Sequence, residues 1–574
     1  MDDRLADPAP HRSPIFELSS RYVDALARAN PIAATAMGIA GYEDELTDFS
    51  TAAQTERAEL SRTALRELAD LTDGTDGSRS LDEIDAVAAG CLQERLDSAL
   101  ELHDSGEYLR SMNVLASPAS AIREVFDLMP TDGTESRSRI EARLAAIPAS
   151  LASWRSSLVD GVEAGQVCAR RQALAVASQC DAYGAADGRG WFSGYVRGLG
   201  DAAHLAALAE SAESAYRELG IFLRETYAPR ADEVDPIGRD RYARCARAWN
   251  GAALDLDATW EWGWDELDRI RERMRSVAEL VSPGLELRDA REYLNADPKY
   301  VIEGTDALLA YLIDLTERTT EEMDGRYFDI DPRIRQCDVK LAAEGGAAAP
   351  YYIPPSEDLS RPGSTWYPTL GHNTFPIWWA VSVWYHEAVP GHHLQCAVST
   401  LQRDRQSRFQ RLAGWTSGYG EGWALYAERL MNELGYFDDP GIELGYLSSQ
   451  AMRAARVVLD IGAHLQLRIP EGRGDLSGRT FDRDLMVDFL TDQALLAEDF
   501  ASSEADRYLG LAGQAISYKV GERVWLDTRE AAKQRLGGAF DLKHWHSYGL
   551  ALGPMGLDPF AALMGGYTGR EVLA

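Results

Sequence analysis

Three of the chain's ten histidines fall within one stretch, Tyr385-His386-Glu387-Ala388-Val389-Pro390-Gly391-His392-His393-Leu394-Gln395. Histidine is the commonest side-chain metal ligand. A His-Glu pair is how zinc hydrolases place one ligand next to a carboxylate that works as general base. The spacing departs from His-Glu-x-x-His, where the two histidines are four residues apart on one helical face. Here the fourth position is Pro390, which cannot ligate. On an ideal helix His392 lies about 120° around from His386; His393 lies within about 20° but about 10.5 Å further along the axis. Neither suits a straight helix. Pro390 removes a backbone donor and Gly391 permits unusual dihedrals, so the spacing predicts a distorted turn that returns one of the two to the metal. Geometry alone leaves His392 and His393 both open.

The elements that must hold this stretch read as helices. Residues 377–385 form an aromatic helical run directly before it. Apolar positions recur at helical spacing over 15–27, 51–71, 81–100, 136–158, 204–227, 242–281 and 306–323. Polar punctuation falls at 72–80, Pro118, 130–133, 438–441 and 470–478. Strand-like pieces are confined to 333–341, 351–355 and 364–367, just upstream of the histidines. These predict a small sheet beside the site, whose edge could hold an extended substrate by strand addition. The expectation is a mainly α protein. Its organisation reads as an N-terminal helical region, 1–330, and a catalytic metal-binding region, 331–574, packed as one body.

The stretch His386-Glu387-Ala388-Val389-Pro390-Gly391-His392-His393-Leu394-Gln395 resembles the signature of the bacterial domain-of-unknown-function family 885. Further similarity lies in Asn30-Pro31 through Asp48-Phe49-Ser50, Arg361-Pro362-Gly363-Ser364, Glu421-Gly422-Trp423-Ala424-Leu425-Tyr426 and Gly513-Gln514-Ala515-Ile516-Ser517-Tyr518-Lys519. It spans nearly the whole chain, about 15–570. The resemblance implies a large helical, zincin-like metallopeptidase fold, with a HExxPGHH motif and a glutamate as third ligand.

A catalytic zinc takes three protein ligands and keeps one position for water. His386 supplies the first, His392 or His393 the second. Glu421, flanked by Gly420 and Gly422, is the candidate third. Glu428, two turns on and on the same face, could hydrogen-bond a ligand histidine. Asp460 and His464 are further candidates for such a supporting role. Glu387 points about 100° away from His386, which suits a general base on the metal-bound water and not a ligand. The oxyanion donor stays open among Arg507, Tyr508, Tyr518, His544 and His546. Gly363, Ser364, Trp366 and Tyr367 are expected to meet the substrate.

Composition narrows the remaining classes. A net charge of −33 argues against nucleic acid and against anionic membranes. The six cysteines are scattered, with no CxxC pair, which fits a reducing compartment. The N-terminus is polar and no long apolar run occurs, so a cytoplasmic protein is expected. Glu-x-x-His, Gly-x-Ser-x-Gly and phosphate-loop motifs are absent, which sets aside di-iron carboxylate, serine-hydrolase and nucleotide-binding readings. What remains is a hydrolase of peptide or amide bonds with one zinc per chain. The alternatives are a small-molecule amide or amino-acid-conjugate hydrolase, or a non-catalytic binding protein of the same fold.

Overall fold

A computed structural model describes residues 11–73, 81–200, 203–342 and 349–569. The polar break expected at 72–80 lies, from residue 74 on, outside the described residues. The chain is mainly helical, and its centre is one long helix. Residues 444–464 of this helix, Pro440–Leu465, are all buried. A helix with no solvent-facing side must be surrounded, and here it is. Against it pack Leu256–Val281 (α1), Ile377–Glu387 (α2) and Glu498–Gly510. Gly445 makes the crossing with α2 possible: a Cβ there would sit 1.8 Å from the Trp378 carbonyl oxygen.

Chain order then gives His392–Leu401 (α3), Ser417–Glu433 (α4), the central helix Pro440–Leu465 (α5), Glu498–Gly510 (α6) and Ser517–Leu536 (α7). The helix expected over 242–281 is two. Gly251 caps Arg239–Asn250 in the left-handed region at φ 60° before α1 begins, and a Cβ there would collide with Gly556.

Among the described residues five short strands form two sheets. Cys337–Leu341 (β2), Tyr351–Ile353 (β3) and Gly363–Tyr367 (β4) lie in the order β2-β4-β3, with β4 parallel to β2 and antiparallel to β3. Val301–Glu303 (β1) pairs with Thr374–Pro376 (β5), immediately before α2.

The hydrophobic core divides in two. The buried residues of a smaller core lie within 112–231, chiefly on helices Gly133–Glu163, Arg170–Tyr183 and Ala206–Phe222, with Ile32, Leu46 and Phe49 packed against it. The larger core joins 15–96 and 242–334 to 367–567. Among the described residues no helix is long and apolar enough to cross a membrane.

Candidate metal centre

The distorted turn resolves the spacing problem. α2 ends at Glu387, the Val389–Pro390 peptide is cis, and α3 begins afresh at His392. Gly391 passes so close to α2 that a Cβ would lie 1.9 Å from the His386 carbonyl oxygen. The indole N–H of Trp423 in α4 donates to the carbonyls of Pro390 (2.9 Å) and Gly391 (3.2 Å), which fixes the turn. The His386 and His392 rings meet edge-on at 4.8 Å.

Glu421 completes the constellation. Its Oε2 lies 3.1 Å from His386 Nε2 and 3.3 Å from His392 Nε2, and ligand atoms of the three residues all fall within 4.8 Å of one another. Ligands held at about 2.1 Å around a tetrahedral zinc stand about 3.4 Å apart, so this donor set fits such an ion. The glycines beside Glu421 are there for packing. A Cβ on Gly422 would meet the Gly521 backbone of α7 at 2.5 Å, and one on Gly420 would meet the Trp415 ring at 2.0 Å.

Glu428, buried two turns further along the same face of α4, bonds His386 Nδ1 at 2.9 Å and accepts from the Ser382 hydroxyl at 2.5 Å. That contact fixes the ring and turns Nε2 towards Glu421. One imidazole thus stands between two carboxylates. Burial opposes charge on all three, but the mutual contacts outweigh it. They raise the His386 pKa, hold Glu421, with His392 the largest lowering contact, well below the usual carboxylate range, and, with Arg453, lower Glu428. The site is therefore built for a positive charge between Nε2 and Oε2, which a proton or a metal ion can supply.

Glu387 differs from both. It is buried, and among the described residues its carboxylate accepts no hydrogen bond. Burial pushes its pKa up to about 8, with His392 pulling down and Glu421 pushing up. A cation held by the three ligands would favour its ionised form.

His393 does not join the group. Its Nε2–H donates to the Ile334 carbonyl at 2.8 Å, and its Nδ1 pairs with the Tyr352 hydroxyl at 3.1 Å. Burial lowers its pKa to about 4, so it is neutral. It lines a cavity of about 230 Å³ with Gly363, Arg333 and Ser360. Gly363 is held there because a Cβ would strike the Tyr352 hydroxyl and His393 Nδ1. Gly363, Ser364, Trp366 and Tyr367, expected to meet the substrate, lie on β4. β4 is paired on both sides, Ser364 and Tyr367 are buried, and the Trp366 indole bonds Ser364 Oγ at 2.9 Å. β4 is the middle strand, so the outer edges of this sheet belong to β2 and β3.

Of the proposed oxyanion donors, Tyr518 comes near. Its ring stacks on His386 at 6.0 Å, and Arg507 Nη2 donates to its hydroxyl at 3.3 Å. Tyr508 is fully buried and its hydroxyl donates to Glu504 at 2.6 Å. His546 lies in an aromatic nest, stacked on Phe328 and bonded to the Tyr426 hydroxyl at 2.8 Å. His544 pairs with the Tyr567 hydroxyl. Asp460 accepts from the Tyr242 hydroxyl (2.8 Å) and Gly513 N (2.9 Å), and His464 Nε2 faces the Tyr508 carbonyl. Neither bonds a candidate ligand.

Sequence reasoning missed Arg453 and Arg456 of α5, and Trp415. Arg456 lies over the Tyr518 ring at 4.4 Å, and Trp415 packs against His392 at 5.8 Å. Two arginines three apart in the apolar run 451–463 were the available signal, since a buried arginine needs a partner.

Fold and site together define a mainly helical protein with a His-His-Glu constellation whose two histidines are buried. The chain belongs to the bacterial protein family of unknown function DUF885, which matches residues 31–564. No curated protein matches it. Two solved structures share the fold, each described as a "putative lipoprotein". That from Colwellia psychrerythraea aligns with a TM-score of 0.82 at 21% identity, covering 96% of this chain and 98% of that one. That from Shewanella oneidensis, of unknown function, aligns at 0.70 and 19%, covering 96% and 100%.

Proposed function

We propose that the chain is a zinc-dependent hydrolase of peptide or amide bonds, a metallopeptidase-like enzyme of zincin type with one zinc per chain. The observation that carries the reading is the pairing of two kinds of carboxylate. Glu421 closes a donor set of zinc dimensions with His386 and His392, while Glu387 next door is committed to nothing. Zinc, when bound, lowers the pKa of water to about 7 and polarises a carbonyl. Glu387 takes the proton from the attacking water and delivers it to the leaving nitrogen. Tyr518, its hydroxyl held by Arg507, donates a hydrogen bond to the oxyanion. Glu428 keeps His386 in the tautomer that presents Nε2.

The test is metal analysis of purified protein, with hydrolysis of a mixed peptide library measured before chelation, after chelation, and after zinc is restored. The expected result is about one zinc per chain and activity that follows it. A protein that holds no zinc at micromolar concentration, or cleaves equally well without it, ends the proposal. We also place the protein in the cytoplasm, on its six unpaired cysteines; recovery in a membrane or secreted fraction of the native cell would overturn that.

A further inference from the structure

The donor set is closed on one side and open on another. His386 has Glu428 on Nδ1 and the Tyr518 ring stacked at 6.0 Å, and its side chain is 3% exposed. The His392 side chain is 9% exposed and that of Glu421 17%. Next to His392, with ring centroids 5.8 Å apart, lies Trp415, which is 45% exposed. Exposure thus rises from the innermost ligand to the indole. Trp415 therefore stands on the side from which solvent, and a substrate, reaches the ligands.

An exposed indole is out of the ordinary for this chain. Among the described residues the other exposed large apolar side chains are leucines, isoleucines, valines and one tyrosine. A scattered exposed leucine needs no explanation, whereas tryptophan offers a large, rigid apolar face. Trp415 is also held in place. Its six-membered ring lies against the bare α-carbon of Gly420, where a Cβ would come within 2.0 Å of the ring. Gly420 directly precedes Glu421, so the indole rests on the turn of α4 that carries the third ligand. One edge is fixed by protein while much of the residue's surface stays open beside the site.

We infer that Trp415 receives a large apolar side chain of the substrate, aromatic or branched aliphatic, carried by a residue flanking the cleaved amide. This rests on the hydrolase reading and narrows its substrates to peptides or acyl amino acids with such a side chain at the bond. The reacting carbonyl has to approach His392 and Glu421, and the indole is the apolar surface beside them. Consecutive α-carbons are about 3.8 Å apart, so the residues on either side of the bond are the ones that meet a ring 5.8 Å from a ligand. An aromatic side chain stacks offset or edge-on with the indole, and an aliphatic one buries its methyl groups against it. Glycine or serine at that position leaves the indole wet.

The test uses tripeptides with phenylalanine, leucine, serine or glycine at each position in turn, prepared with free and with blocked termini. Binding to the metal-free protein is followed by equilibrium dialysis, cleavage by the zinc-loaded protein by mass spectrometry. Burial against the indole predicts about 10-fold preference for phenylalanine and leucine over serine and glycine at one position, in both measurements. Trp415→Phe should keep most of that preference, and Trp415→Ser should cut it to about twofold or less, with zinc content unchanged in both. A Trp415 that only packs His392 in place gives a different result: Trp415→Ser lowers zinc content, or the turnover of every peptide alike, and the preference survives. That result overturns the inference, as does a parent protein that treats apolar and polar peptides alike or binds neither. Apolar peptides bound preferentially through Trp415 but not cleaved leave the contact standing and remove the hydrolase reading instead.

Discussion

The protein holds two buried histidine–carboxylate groups, and they are put to opposite uses. At His386, His392 and Glu421 the contacts favour charge: the histidine is raised, the acid lowered, and an uncommitted carboxylate stands alongside. At Asp460 and His464, 3.6 Å apart on α5, both groups are wholly buried and burial favours neutrality. Asp460 is pushed up to about 7, with the Tyr242 and Gly513 hydrogen bonds and Arg507 offsetting only part of the burial. His464 is pushed down to about 4, with the Tyr508 carbonyl pulling the other way and Arg241 adding to the fall. The same residue types, four apart on a helix or joined across helices, become a cross-brace or a cation site according to how many acceptors surround the imidazole.

The strongest way to break this comparison is Glu387→Gln. The amide keeps the shape and loses the proton acceptor, so zinc should remain at one per chain while kcat falls about 10²- to 10⁴-fold. Asp460→Asn should leave the turnover within about threefold of the parent. A rate for Glu387→Gln as close to the parent as that would make the two clusters equivalent and end the mechanism.

Next in size is metal affinity. Glu428→Gln keeps a hydrogen-bond partner for His386 Nδ1 but removes the charge, and should weaken zinc binding about 10- to 100-fold by competition titration. His393→Gln should bind zinc as the parent does. If His393 substitution strips the metal and His392→Gln does not, the ligand assignment is reversed.

Much of this was legible beforehand. The His386-Glu387 opening, Glu421 between glycines and Glu428 two turns on all sit where helical periodicity puts them. The choice of His392 over His393 was not legible. It depends on a second helix starting at His392 and on a Trp423 indole from α4 holding the turn, and both are tertiary facts. The arginines of α5 were overlooked because periodicity assigns them to a face, and α5 has no solvent face. That β4 is the middle strand was not legible either, because pairing on both sides is a tertiary fact that local sequence does not encode.

A pH titration of stability sharpens the contrast at the closed cluster. Folded Asp460 keeps its proton to about 7 against 3.8 for an ordinary aspartate, so its contribution is present at low pH and lost as pH rises through that window. Folded His464 stays neutral to about 4 against 6.5, so its contribution is present above 6.5 and lost as pH falls. Between about 4 and 6.5 the two slopes cancel in the parent. Asp460→Asn should expose the histidine alone, with stability falling by at most about 1.4 kcal/mol per pH unit on acidification over that range. Denaturant midpoints parallel to the parent's would show that the pair does not titrate this way.

The smallest effect belongs to His393. Tyr352→Phe removes the hydroxyl facing Nδ1 and should cost about 1 kcal/mol in chemical denaturation, with zinc content unchanged. A loss of zinc there would tie the cavity side of the turn to the metal side.

The division of the core has a consequence for how the protein comes off the ribosome. The smaller core is complete once residue 231 has emerged, whereas helices near residue 15 belong to a core whose last members lie near 567. At a synthesis rate of roughly 5–20 residues per second, the first helices wait on the order of tens of seconds for their partners. During that interval their apolar faces lack the partners that bury them in the complete chain, a state chaperones would be expected to bind long before His386 and His392 are translated.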